Sequence, residues 1–366
     1  MTQPRIIEAA VAGVSNADIC AFYATQWARP IALSRPDFLD WQMNAAPGAT
    51  GRNHSVVALE GNRIIAVMGV TPAPFRHLRQ DCAGAELTTW VVAPEARGKG
   101  VGKAILKHLQ QRYTVLVGAG ITGVALPLYL AAGFTHLAHL PRFFFVTDFD
   151  KAQTFASISD PARAVTARRQ AQATAQPWQA QPVAAAALAP AAAGLSRFGH
   201  FRRDAARLGW RHDQHAAFRY EAFAVQDPGQ TGIGAGVVLR QDVVLQTPIL
   251  QVVDLFGSPS HLPATLAFIE DEARRRGAAF VDISLTAGPL IAQLRARGWS
   301  SAVDDPLIEL PSLFYPVELR RPPTTSLILW GRDAPQRLYD FNRLHITRAD
   351  MDLDRPTLAW YDQHPT

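Results

Sequence analysis

The stretch Trp90-Val-Val-Ala-Pro-Glu-Ala-Arg-Gly-Lys-Gly-Val-Gly102 limits what this chain can fold into more than any other. A β-branched run, predicted as a strand over Glu86 to Val92, enters a loop with three glycines and two cations. The loop opens a helix whose apolar positions Ile105, Leu106, Leu109 and Tyr113 keep helical spacing. Such a junction holds phosphate. Gly98, Gly100 and Gly102 let an anion come close to the backbone, and the free amides and positive dipole end of the helix attract it. Arg97 and Lys99 add fixed charge. A P-loop is excluded because no Gly-Lys-Ser/Thr follows at the required spacing, and a Rossmann turn because no acidic residue ends a second strand about 20 residues on.

Around this junction the pattern alternates between extended and helical segments. Arg5 to Ala10 reads as a strand, and Ser15, with Asp18 three residues later, caps a helix running to Trp27. A second helix is predicted at Pro36 to Met43, and a hairpin at Ser55 to Leu59 and Arg63 to Thr71 around Glu60-Gly-Asn62. After the phosphate junction come a strand at Thr114 to Gly118, a helix at Val124 to Ala132 ended by Gly133, and a strand pair from Phe134 to Val146. This order implies an α/β unit with a mixed sheet over residues 1–148.

Residues 149–197 change to Ala, Gln, Arg and Pro, and read as a partly helical connector interrupted by Pro177, Pro182 and Pro190. Residues 198–330 repeat the first order more weakly. Strands are predicted at Tyr220 to Val225, Gly236 to Arg240, Ile249 to Phe256 and Ala279 to Leu285, with helices at Pro263 to Arg276 and Pro289 to Arg297. Both halves end a helix with Gly followed by an aromatic residue, Gly133-Phe134 and Gly298-Trp299. A tandem duplication is the expectation, with 331–366 as an ordered extension. The acids Asp350, Asp352 and Asp354 in that extension lack the glycine and terminal glutamate of a calcium loop and read as a solvated edge, so no metal is expected.

Composition narrows the function classes. Of the 366 residues 48% are hydrophobic and 18% charged, the balance of a globular protein. A net charge of +5 favours anionic ligands, but the cations are spread out rather than interleaved with aromatics, so nucleic acid is not the expected partner. Cys20 and Cys82 fit neither a zinc site nor a redox pair, and the amino terminus carries no export pattern. The alanine-rich run near Val183 to Leu195 is too short to span a membrane. A cytoplasmic protein is the expectation.

The run Arg97-Gly-Lys-Gly-Val-Gly102, after a valine strand and a proline, resembles the signature of the GNAT superfamily of N-acetyltransferases. Leu128-Tyr-Leu-Ala-Ala-Gly-Phe134 resembles a second feature of that family at the expected distance. The resemblance covers roughly residues 1 to 148 and implies tandem GNAT-like domains, the second degenerate. It further implies acetyl-CoA or another acyl-CoA as donor. The donor's pantetheine arm would lie between the strands Glu86 to Val92 and Thr114 to Gly118. Val91 and Val92 would bond that arm through their backbones, and Arg97, Gly98, Lys99, Gly100, Val101 and Gly102 would hold its pyrophosphate. Tyr129 matches the family's proton donor to the departing thiolate, and Glu86 a strand glutamate that serves some members as general base. The asparagine that many members place before the tyrosine helix is replaced in Gly120-Ile-Thr-Gly123.

In the second half, Asp254-Leu-Phe-Gly-Ser-Pro-Ser-His261 has one glycine and a proline at the equivalent junction, so it is not expected to hold pyrophosphate. Asp254 and His261 sit at positions that face a crevice in open α/β sheets and are candidates for contact with the acceptor. The acceptor would be a small-molecule amine. The doubled architecture and the acidic tail before Arg355-Pro356 resemble enzymes of surface-polysaccharide assembly, which implies an amino sugar or sugar nucleotide. Two other readings stay open: an aminoacyltransferase of the doubled-GNAT kind, and a non-catalytic sensor or scaffold that binds acyl-CoA.

Overall fold

The computed structural model describes residues 3–27, 31–77, 79–226, 228–229, 232–305, 308–333, 336–350 and 354–364. In chain order the elements that build the site are β1 (Arg5–Glu8), α1 (Asn16–Gln26), α2 (Pro36–Met43), β2 (Val56–Glu60), β3 (Arg63–His77), β4 (Gln80–Val92), α3 (Val101–Arg112), β5 (Val115–Ala119), α4 (Leu126–Ala131), β6 (Thr135–Leu137) and β7 (Arg142–Val146). There follow α5 (Asp160–Ala171), β8 (Gln179–Val183), β9 (His200–Phe201), α6 (Ala205–Leu208), β10 (Glu221–Gln226), β11 (Ala235–Val244), β12 (Thr247–Gly257), α7 (Leu262–Arg275), β13 (Phe280–Ser284), α8 (Gly288–Ala296), β14 (Ser300–Ser301), β15 (Leu327–Gly331) and α9 (Leu358–Gln363).

Local signals act where the sequence places them. Ser15 and Asp18 form a reciprocal capping box on α1, which satisfies two amides that the helix itself cannot. Pro36 opens α2, where its missing N–H costs nothing. Gly133 (φ 83°) and Gly298 (φ 82°) close α4 and α8 in the left-handed region. In each case the aromatic residue that follows donates its amide back into the last turn, Phe134 to Tyr129 and Trp299 to Leu294.

The strands form two sheets of the same order. The first runs β1-β2-β3-β4-β5-β15-β6, with β9 added on β3; the second runs β8-β10-β11-β12-β13-β7-β14. Each has one parallel contact, β4 with β5 and β12 with β13, and antiparallel pairing elsewhere along that path. A helix follows the strand on either side of that contact in both sheets, α3 and α4 in the first, α7 and α8 in the second.

The strand pair expected at Phe134 to Val146 does not form. β6 stays in the first sheet, while β7 crosses to the second and pairs with β13. Its vacated place between β5 and β6 is filled by β15, from near the end of the chain. Either strand suits either sheet because both are apolar on two faces. Phe143 and Phe145 enter the core beneath α7 and α8, and Phe144 and Val146 enter a smaller core on the opposite face. In β15, Ile328 joins the core under α3 while Leu327 and Leu329 join another behind the sheet. The connector is also part of the second unit: β8 is its edge strand, and Leu188 and Leu195 enter its core.

Two further contacts lock the sheets together. β9 pairs Phe201 with Phe75 on β3, and the stacked indoles of Trp41 and Trp210, 5.0 Å apart, each donate to the other's backbone carbonyl. Because each sheet needs a strand from the far part of the chain, the two should unfold together. A calorimetric scan of the full chain is expected to show one transition, and a fragment of residues 1–148, lacking β15, to show no cooperative transition at all. Two separable transitions would contradict the exchange.

Candidate acyl-transfer site

The site starts from a bulge. Between β3 and β4 the register passes from Met68↔Trp90 to Val70↔Leu87, so β4 holds one more residue than its partner at Thr88 and Thr89. An extra residue bends a strand and sharpens its twist. On the other edge, β4 pairs with β5 only from Gly84↔Val115 to Leu87↔Gly118. Beyond Leu87 the two strands part, and Thr88, Thr89 and Trp90 face a cleft, with the Thr89 carbonyl accepting from the Tyr23 hydroxyl at 3.1 Å.

At the end of β4 the chain makes the glycine loop. Gly98 and Gly100 have φ of 75° and 78°, where other residues are strained, and a side chain at either would point into open space. Gly102 is needed for a different reason: a Cβ there would lie 2.8 Å from the Trp90 ring. Arg97 donates through Nε to the Val92 carbonyl at 3.1 Å, which pins the loop to the strand. No side chain caps α3 and its first turn holds no acid, so its leading amides face the exposed loop with an uncompensated dipole. Arg97, Gly98, Lys99 and Gly100 are exposed, Val92 is half-buried, and Val91, Val101 and Gly102 are buried.

Tyr129 lies where this cleft deepens. Its ring is 97% buried and is held edge-on by Trp90 at 5.2 Å and Phe134 at 5.0 Å. The cleft opens there into a cavity of about 430 Å³ between the two sheets. Thr88, Thr89, Trp90, the turn at 119–122 and Tyr129 line its first-sheet end. Arg142 of β7, Arg240 of β11, Gln251 of β12 and Ser284 of β13 line the other. The tail closes a side with Arg348, Asp354, Arg355 and Trp360.

Glu86 is close in sequence but differently employed. It does not line the cavity; its carboxylate is buried against the guanidinium of Arg207 on α6. Burial pushes that carboxyl above the ordinary range, opposed by Arg207 and Arg211. Asp254 and His261 are not brought together, and neither lines this cavity. Asp254 is bound by Arg203 (2.9 Å) and the Thr347 hydroxyl (3.0 Å), and His261 packs on Gly234. At the second unit's counterpart of the phosphate loop, the connector lies so close that a Cβ on Gly194 would meet the backbone of Gly257 at 2.1 Å. The acids of the tail are not the solvated edge expected. Asp350 is 1% and Asp354 3% exposed, because Arg203 and Arg240 meet them inside the molecule. Asp352 lies outside the described residues. Among the described residues no cluster of three or more His, Cys, Asp or Glu is placed to hold a metal.

Sequence reasoning missed Arg142, Gln251 and Arg348. The available signal was a polar residue inside an otherwise apolar strand, as in Thr247–Gly257, where burial demands a partner.

Residues 17–131, which contain the loop and Tyr129, match the model of the Acetyltransferase (GNAT) family. The chain carries a segment of the GNAT acetyltransferase type. Its fold is similar to that of a GCN5-related N-acetyltransferase from Anabaena variabilis ATCC 29413, at 13% identity over 89% of this chain and 72% of that one, with a TM-score of 0.52. A probable N-acyltransferase from Enterococcus faecalis V583 gives 12% identity, 90% and 72% coverage and a TM-score of 0.57. A GCN5-related N-acetyltransferase from Kribbella flavida gives 17%, 92%, 73% and 0.53. At these identities the likeness establishes the fold, and it extends over both sheets. No curated protein matches the chain. Among the described residues no helix is long and apolar enough to cross a membrane.

The Glu86–Arg207 pair joins β4 to α6 and has little access to water. Arg207→Met leaves a buried carboxylate without its cation, and is expected to lower unfolding free energy by about 3–5 kcal/mol. Urea titration measures this. A loss within experimental error would show that the pair is not what holds the two units at the cleft.

Proposed function

We propose that the chain transfers an acyl group from acyl-CoA, acetyl-CoA in the simplest case, to the amine of a small molecule. The observation that carries this reading is the open run of amides at the start of α3 leading into the β4–β5 cleft, with Tyr129 at its inner end. The donor supplies the activated acyl carbon. The chain's own residues supply position and a proton. The loop from Arg97 to Gly102 takes the diphosphate, and the β4 backbone at Val91 and Val92 orients the arm. The buried phenol of Tyr129 gives its proton to the departing thiolate, which lowers the cost of expelling sulfur.

The acceptor enters from the second-sheet side of the cavity and places its unprotonated amine beside the β4 bulge. Direct attack needs no covalent enzyme intermediate: the nitrogen–carbon bond forms as the carbon–sulfur bond breaks, and the proton the nitrogen sheds restores the Tyr129 hydroxyl, directly or through water. Glu86 in this reading is a positioning residue, which fixes α6 and the cavity wall through Arg207. An amino sugar or sugar nucleotide of surface-polysaccharide synthesis is an acceptor of the right kind.

Two variants test the two halves of the site. Gly100→Glu puts a carboxylate where the diphosphate would lie, and calorimetry should show acetyl-CoA binding abolished. Tyr129→Phe should leave binding unchanged while lowering the rate of thiol release at saturating amine by about 100-fold. Full binding by Gly100→Glu, or full activity of Tyr129→Phe, would contradict the respective assignment.

A further inference from the structure

Three guanidinium groups, Arg142, Arg240 and Arg348, line the second-sheet end of the cavity and meet three buried carboxylates, Asp242, Asp282 and Asp354. Arg142 and Arg348 both turn to one carboxylate oxygen, Oδ2 of Asp282, at 2.6 Å and 3.4 Å. Arg240 takes both Asp242 and Asp354, the latter also bonded by Tyr220 (2.5 Å), which leaves Arg142 and Arg348 sharing the carboxylate of Asp282. Burial pushes the Asp354 carboxyl up, but Arg240, Arg348 and Arg211 together hold it down at about 2, so it is spent as an ion-pair partner.

Gln251 supplies an independent observation. It lines the cavity with 1% of its surface exposed. Its Oε1 accepts from Arg240 Nη2 (2.5 Å) and from Arg348 Nη1 (3.0 Å). Both neighbours can only donate, which fixes the orientation of the amide. Its Nε2 is then a donor, and among the described residues it has no hydrogen-bond partner; Oδ1 of Asp282, the residue opposite Gln251 on β13, has none either. A buried donor left unmade is costly, and beside two guanidinium groups the natural complement is an anionic oxygen.

We propose that the acceptor is an amine that also bears an oxyanion, a carboxylate or a phosphate, and that Gln251 and Arg348, backed by Arg142, bind this group. The inference rests on the acyltransferase reading and names the substrate class for it. It gives the second sheet a direct part in catalysis: the sheet anchors one end of the acceptor so that the amine at the other end reaches the β4 bulge. Arg142, which also donates to the carbonyls of Pro311 (2.6 Å) and Pro323 (2.9 Å), holds the wall in place.

The test compares thiol release from acetyl-CoA for two matched pairs, glucosamine 6-phosphate against glucosamine and tyrosine against tyrosinamide. The charged member of one pair should have a kcat/KM at least about tenfold higher, and the responding pair tells phosphate from carboxylate. Gln251→Glu keeps oxygens for Arg240 and Arg348 but replaces the donor with a negative charge. It should erase the preference through a rise in KM, as should Arg348→Met. Equal kcat/KM for charged and neutral members overturns the inference while leaving the transferase reading intact.

If none of the four amines is acylated, that reading fails, and direct binding decides the anion site separately. Trp90 and Trp360 line the cavity. Their fluorescence in the Gly100→Glu protein, where the loop is blocked, should saturate with inorganic phosphate or with acetate. Adding Gln251→Glu should remove that saturation. No saturation by either ion overturns the site.

Discussion

Four residue pairs join β4 to β5, and the rest of the molecule depends on what happens where that pairing ends. Past Leu87 and Gly118 the bulge at Thr88 and Thr89 carries β4 away, so its backbone groups are offered to a cleft. An unpaired strand edge inside a protein is costly unless something bonds to it. The same divergence leads directly to the glycine loop and the uncapped start of α3, so one distortion produces both parts of the surface proposed for the donor's arm and its phosphates. Neither would exist if the two strands had stayed paired to their ends.

Holding such a cleft open requires a stiff frame, and the exchange of β7 and β15 supplies it. β15 closes the far edge of β5, while β7 brings Arg142 from the first half of the chain into the second sheet. Neither sheet is complete without the other's sequence. A belt of buried ion pairs follows the same boundary: Glu86 with Arg207, Arg203 with Asp254 and Asp350, Arg240 with Asp242 and Asp354. Buried pairs of this kind add little net stability over apolar packing, but breaking one is expensive. Their effect here is to fix one arrangement of the two sheets around the cavity.

The sequence made the local parts of this design legible. The capping box at Ser15, the start of α2 at Pro36, the hairpin turn at Gly61 and the left-handed ends at Gly133 and Gly298 are all short-range choices, written within a few residues. The phosphate loop is legible for the same reason, since its glycines and cations are consecutive. The strand exchange is not. Arg142–Val146 and Leu327–Gly331 are both short apolar runs, and nothing in their periodicity says which of two similar sheets each will join. The second-sheet wall of the cavity was hidden differently: Arg142, Gln251 and Arg348 stand apart in sequence and meet only because β7 crosses over. Asp350 and Asp354 read as surface acids because their cations, Arg203 and Arg240, lie more than a hundred residues away.

The central claim is that the β4 edge and the start of α3 form one receiving surface for a diphosphate with an extended arm. Amide hydrogen exchange of the full chain, with and without saturating coenzyme A, tests it residue by residue. The account predicts slowed exchange at the amides from Gly98 to Lys103 and along Thr88 to Val92. Unchanged exchange in both segments, with coenzyme A bound elsewhere or not at all, would contradict it.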